Sequence, residues 1–179
     1  MRLSAIHAKI VQAATIIIVR NEIWKDVHLF MLAIACDHTA VELKKSVIEY
    51  LGGLGYQCLD FGTHTSESVN YPEYALLAAN SVVNGECERG ILICGTGIGL
   101  GIAANKVRGI RCAICSDCYS AKLSREHNNT NMIALGARVV GPELAKMIIK
   151  TWLDSEFEGG RHQVRVDQIA NIENTGKAK

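Results

Sequence analysis

The sequence predicts an α/β protein, a three-layer sandwich around a mainly parallel, Rossmann-like sheet of about five strands. Three observations carry this. From Met31 onward, short continuous apolar runs alternate with longer stretches of helical periodicity, the pattern of parallel strands covered on both faces by their crossover helices. The only two prolines, Pro72 and Pro142, each stand at the first position of a helical pattern, where a missing N–H costs nothing. The 179 residues contain no internal repeat, linker or low-complexity segment, and they suit one domain with a full hydrophobic core.

Each element follows in order. Residues 32–36 form an apolar run ending in Asp37-His38 and read as a buried strand. Residues 40–54 place Leu43, Val47, Ile48, Leu51 and Leu54 on one helical face, with Gly52, Gly53 and Gly55 as stop signals. Residues 57–61 read as a second strand and 62–70 as a polar turn. Helices are expected over 72–83, 98–107, 119–127, 142–153 and 161–172, and further strands over 90–94, 110–115 and 132–135. Residues 1–30 are expected to be an extension outside this periodic domain, which spans 31–179. The apolar stretch 10–19 falls short of the ~20 residues that span a bilayer. It is followed by Arg20-Asn21-Glu22 where a signal peptide would have a small-residue cleavage site.

The composition, 49% hydrophobic and 21% charged with a formal net charge of +1, is that of a soluble globular protein. No overall field attracts nucleic acid or an anionic membrane. The seven cysteines are odd in number and lie mostly in apolar strand-like runs, so they read as reduced thiols and point to the cytoplasm.

In open α/β sheets, ligands bind beyond the carboxyl ends of the strands where strand order reverses. That singles out Asp37-His38, Gly62-Thr63-His64, Cys94-Gly95-Thr96, Ser116-Asp117 and Gly136-Ala137-Arg138. Cys94 closes the run Ile91-Leu92-Ile93, and a helix is expected three or four residues later. A helix N-terminus favours the thiolate of a nearby cysteine. Glycines at 95, 97, 99 and 101 let the backbone turn sharply and its N–H groups converge on an anion. One loop could then supply both a base and an anion hole, which enolisation of a sugar carbonyl requires. The alternative is that Cys94 is a small buried hydrophobe.

The glycines also suggest dinucleotide binding, with Asp117 as the ribose-binding acid, but Leu100 or Ile102 stands where the third glycine belongs. Cys112, Cys115 and Cys118 are spaced like iron–sulfur ligands, yet residues 112 and 115 alternate between faces of one expected strand and cannot share a cluster. Arg161 and Arg165 emerge on one helical face behind Gly159-Gly160. They suit either a phosphate or a solvated face paired with Glu158. His127 and Asn128 end a helix in a dense polar stretch, where the histidine either exchanges protons or caps the helix. Asp37-His38 can orient hydroxyls or contact an anion, and no histidine pair at metal-binding helical spacing accompanies it.

Together the segments CDH (36–38), NYPEYA (70–75), GILICGTGIGLGIAANK (90–106), YSAKLSREHNNTNMIALGARVVG (119–141) and EGGRHQVRV (158–166) resemble ribose-5-phosphate isomerase type B. This family also includes galactose-6-phosphate and allose-6-phosphate isomerases. The resemblance runs from about residue 31 to about residue 172. It implies an aldose–ketose isomerase that works through a cis-enediolate without metal or cofactor. By that likeness Cys94 is the base, the N–H groups of Gly95, Gly97, Ile98 and Gly99 form the anion hole, and the Thr96 hydroxyl assists proton transfer between oxygens. His127 opens the furanose ring, aided by Asp37, while Asn128 and Tyr71 bind substrate hydroxyls. His38, Arg138, Arg161 and Arg165 hold the phosphate. Some members carry a glutamate in the loop after the cysteine's position; here that loop, residues 96–100, has no carboxylate. The resemblance further implies a homodimer or homotetramer with each site shared between subunits. Its leading substrate pair is D-ribose 5-phosphate and D-ribulose 5-phosphate, with allose 6-phosphate or galactose 6-phosphate as the sibling alternative. A nucleotide- or sugar-phosphate-binding protein without turnover is the remaining reading.

Overall fold

The computed structural model describes residues 30–178. The expected extension therefore lies outside the described residues except for Phe30, whose ring packs edge-on against Tyr56 at 5.7 Å. Strands and helices alternate as β1 (Met31–Cys36), α1 (Val41–Gly53), β2 (Gln57–Asp60), α2 (Tyr71–Val83), β3 (Arg89–Cys94), α3 (Ile98–Ala104), β4 (Cys112–Ile114), α4 (Cys118–Asn128), β5 (Met132–Gly136), α5 (Pro142–Asp154) and α6 (Arg161–Thr175). The strands pair in parallel, in the order β2-β1-β3-β5-β4, as the sequence predicts for a doubly covered sheet.

Alternation along the strands divides the core in two. Leu32, Ile34 and Cys36 of β1 and Ile91 and Ile93 of β3 point to one face. There they meet Val47 and Leu51 of α1, Ala121 of α4 and Ile148, Ile149 and Trp152 of α5. Ala33, Ala35, Leu92 and Cys94 point to the other face, against Ala75, Ala78 and Ala79 of α2 and Leu100 and Ala104 of α3. Trp152 is fully buried, and its indole N–H donates to the Thr130 hydroxyl at 2.8 Å. Burying a side chain of this size contributes roughly 1.5–3 kcal/mol. Among the described residues, no helix is long and apolar enough to cross a membrane.

Two elements are shorter than their sequence patterns. Helix α3 stops at Ala104, where Lys106 and Val107 close tighter turns onto Ala103 and Ala104. Strand β4 spans three residues where six are expected, and side chains bond the backbone at its start. The Asn105 amide bonds both the N–H and the carbonyl of Cys112 at 2.8 and 2.9 Å, and Asn131 accepts the Arg111 N–H. Cys112 and Cys115 enter opposite cores, so the iron–sulfur spacing does not correspond to a cluster. Strand order reverses beside β1, which is joined through α1 to β2 on one side and lies against β3 on the other. The carboxyl ends of β1 and β3, Cys36 and Cys94, thus frame the topological switch point.

Candidate active site

At that switch point the loops leaving β1, β3 and β5 are tied together. The Asp37 N–H donates to the Ile93 carbonyl at 3.2 Å, the Ala137 N–H to the Cys94 carbonyl at 2.7 Å and the Arg138 N–H to the Gly95 carbonyl at 3.0 Å. The Asp37 carboxylate, almost buried, accepts from the Thr39 N–H at 2.9 Å and the Thr39 hydroxyl at 2.6 Å. A side chain added at Gly95 would touch Thr39 Oγ1 at 3.5 Å and Arg138 Cδ at 3.8 Å, so these three loops surround one crevice.

Cys94 lies at its floor, 5% exposed, and Sγ accepts the Gly97 N–H at 3.1 Å. That contact needs the left-handed backbone of Gly97, φ +80°, and close stacking on β5, where a Cβ would come within 2.9 Å of the Leu135 carbonyl carbon. Helix α3 starts at Ile98, four residues past the cysteine, and the exposed Thr96 accepts the Ile98 N–H at 3.3 Å. Tyr71, at the start of α2, lays its ring over Gly99 so closely that a Cβ there would sit 2.9 Å from it. The structure thus brings together Asp37, His38, Tyr71, Cys94, Gly95, Thr96, Gly97, Ile98, Gly99 and Arg138.

The neighbouring wall holds residues the sequence reading passed over. Lys44, 1% exposed, reaches from α1 to both carboxylate oxygens of Asp60 at 2.8 and 2.7 Å and to the Thr63 carbonyl at 2.9 Å. Asp60 also accepts the Gly62 N–H at 2.9 Å, so the ion pair fixes the loop after β2. Helical periodicity puts Lys44 beside core positions, but nothing local in the sequence names Asp60 as its partner. A cavity of about 430 Å³ opens between this loop and His38, lined by Thr39, Lys45, His64, Thr65 and Ser66. His38 Nδ1 is buried without a hydrogen-bond partner among the described residues. Burial pushes the thiol of Cys36, behind this wall, up to about 11.

The remaining candidates lie elsewhere. Helix α4 runs back across the sheet, so His127 and Asn128 come just before the amino end of β5, whereas Cys94 pairs with Gly136 at its carboxyl end. The five residues of β5 separate these levels by about 17 Å. His127 does not cap its helix: Asn129 does, in the left-handed conformation with its N–H on Arg125 and Ser124. Instead the His127 ring stacks on His162 of α6, centroids 4.1 Å apart and planes within 3°. Glu158 places Oε2 3.9 Å from His127 Nε2 and 3.5 Å from His162 Nε2, and Arg161 Nε donates to His162 Nε2 at 3.3 Å. Arg165 stands exposed one turn further along α6. Burial first, then the charge potential of His127 and Arg161, pushes the His162 pKa down. The donor atoms of His127, Glu158 and His162 fall within 4.8 Å of one another. The nitrogen lone pairs of stacked rings, however, lie in two separate parallel planes, and an arginine already donates to one nitrogen, so the two rings do not converge on a cation. The candidate residues thus fall into two groups at opposite ends of the sheet.

Comparison with known proteins agrees with this architecture. Residues 32–169 match the family described as Ribose/Galactose Isomerase. Ribose-5-phosphate isomerase B of Escherichia coli is 53% identical over 142 residues, covering 79% of this chain and 95% of that protein. The Clostridium thermocellum ribose-5-phosphate isomerase B structure superposes with a TM-score of 0.80 at 52% identity, over 82% of this chain and 99% of the other. The Mycoplasma genitalium ribose-5-phosphate isomerase B with bound ribulose-5-phosphate gives 0.79 at 39% identity, over 83% and 99%. The sheet, the loop that Cys94 opens and this agreement along most of the chain together establish that the protein belongs to the ribose/galactose isomerase family of enzymes.

Proposed function

We propose that the protein is an aldose–ketose isomerase that interconverts D-ribose 5-phosphate and D-ribulose 5-phosphate through a cis-enediolate, calling on no metal or cofactor. The observation that carries this is the Cys94 sulfur held by the Gly97 N–H on the floor of the switch-point crevice. In this reading the Cys94 thiolate removes the proton from C2 of the open-chain aldose, and the thiol returns it to C1. The N–H groups of Gly95, Gly97, Ile98 and Gly99 stabilise the oxyanion as charge develops. Thr96, exposed at the rim, passes the proton between the two oxygens. Tyr71 and Asn128 bind hydroxyls, His127 and Asp37 open the furanose ring, and His38, Arg138, Arg161 and Arg165 hold the phosphate.

Because His127, Asn128, Arg161 and Arg165 lie at the far end of the sheet from Cys94, a complete site takes them from a second copy of the chain. The minimal assembly is a homodimer with two shared sites, or a homotetramer of two such pairs. Exposed apolar side chains on α2 and α3, among them Leu76, Leu77, Ile98 and Ile102, support such an association. Reduced, buried thiols and the metabolic substrate fit a cytoplasmic enzyme. The second reading, an allose 6-phosphate or galactose 6-phosphate substrate, draws on the cavity beside His38, which offers room for a further carbon.

A chelator-treated assay comparing the three aldose phosphates tests the proposal. Ribose 5-phosphate should be turned over fastest, at a rate unchanged by the chelator. Cys94→Ala should abolish turnover while sugar-phosphate binding persists. Turnover at the wild-type rate in that variant would show that another group is the base.

A further inference from the structure

His162 has no task in the chemistry given to Cys94, yet it is the better-fixed member of the stacked pair. Its side chain is 8% exposed, against 34% for His127. Its Nε2 accepts the Arg161 Nε–H at 3.3 Å, which fixes the ring from one side. Burial first, then the charges of His127 and Arg161, push its pKa down. The flat ring lies parallel to the His127 imidazole, centroids 4.1 Å apart. Glu158 supplies the balancing negative charge, and its own N–H donates to the Glu126 carbonyl at 3.0 Å, in the helical turn that carries His127.

Without this backing, a partly exposed histidine on the last turn of α4 would be free to visit other staggered rotamers. Ring opening needs one orientation, because proton transfer to the ring oxygen demands hydrogen-bond reach. We propose that His162, locked by Arg161 and accompanied by Glu158, is a positioning residue that holds the His127 imidazole in the plane from which it opens the sugar ring. This rests on the reading of His127 as the ring-opening group.

The chemistry of the two pentose phosphates provides the test. Ribose 5-phosphate closes to a furanose through its 4-hydroxyl, so its conversion includes ring opening. Ribulose 5-phosphate cannot close to a five-membered ring, because the oxygen required carries the phosphate. Exchange of its C1 proton with solvent deuterium therefore reports enolisation alone. Both rates are measured on the full-length protein as wild type, His162→Ala and His162→Phe.

The expected result is that His162→Ala lowers ribose 5-phosphate conversion by roughly tenfold or more relative to exchange, within the ~100-fold that a 1 Å misplacement can cost. KM should change little. His162→Phe, which retains a flat ring, should restore most of the ratio. Equal loss of both rates, a raised KM for both substrates, or a phenylalanine variant no better than alanine would each overturn the proposal. Should the alanine variant not fold, His162→Leu takes its place, filling the space without a flat face. Exchange that survives Cys94→Ala would refute the base and leave the ratio meaningful. A wild-type protein that neither exchanges nor converts these pentose phosphates would overturn both readings.

Discussion

Gly97→Ala perturbs the proposed base without touching its sulfur. Gly97 holds φ +80°, and placing alanine in left-handed backbone costs about 1 kcal/mol. The added Cβ would lie 2.9 Å from the Leu135 carbonyl carbon and 3.1 Å from its nitrogen. These are backbone atoms of the central sheet, so the loop must retreat, by about 0.5 Å to reach ordinary contact. The Gly97 N–H then leaves the Cys94 sulfur, now 3.1 Å away. A hydrogen bond to a charged group contributes about 1.5–3 kcal/mol. With the thiolate as base, kcat/KM should fall roughly 10- to 100-fold, at 1.36 kcal/mol per factor of ten. Steady-state kinetics and a thermal melt measure both effects, the strain alone lowering Tm by about 2–4 °C in a chain of this size. Gly95→Ala, whose Cβ finds only ordinary contacts at 3.5 and 3.8 Å, should melt with the wild type. If Gly97→Ala keeps wild-type kcat/KM and Tm, the loop does not hold the sulfur as described.

Lys44→Met leaves the Asp60 carboxylate without its buried partner, and should cost the lower end of the ~3–5 kcal/mol seen for broken buried pairs, since Asp60 is partly exposed. An unchanged urea midpoint would refute that. Burial holds Cys36, Cys58 and Cys115 at about 11 and Cys112 at about 12, against an ordinary 9.0. The folded chain thus keeps protons that the unfolded chain releases, so stability is intact below pH 9 and declines as pH climbs from 9 towards 12. A Tm that is flat across that range would count against these burials. For the shared site, Cys94→Ala and His127→Ala proteins, inactive alone, should regain about a quarter of wild-type activity when unfolded, mixed and refolded together, because half the random dimers hold one intact site. No recovery would argue against a site built from two chains.

The sheet and its order of elements were legible because apolar runs and helical periodicity are local signals, and Pro72 and Pro142 marked two helix starts. The length of β4 was not, since the Asn131 side chain that takes the Arg111 N–H just before the strand lies 20 residues further on. The Cys94 loop could be read from its glycines and its place at a strand end. That Tyr71 covers Gly99, or that Lys44 finds Asp60, depends on contacts between residues far apart in the chain. His162 was hidden for the opposite reason: beside Arg161 and Arg165 it reads as one more basic group, and only the packing of α6 on α4 shows its face against His127.

The Asn105 amide has a further consequence. By bonding both backbone groups of Cys112 it occupies the position a sixth strand would take, at the open edge of the sheet. An unguarded edge strand invites pairing with any extended chain, and so aggregation. With that position taken, the sheet is blocked from growing from one molecule into the next at Cys112.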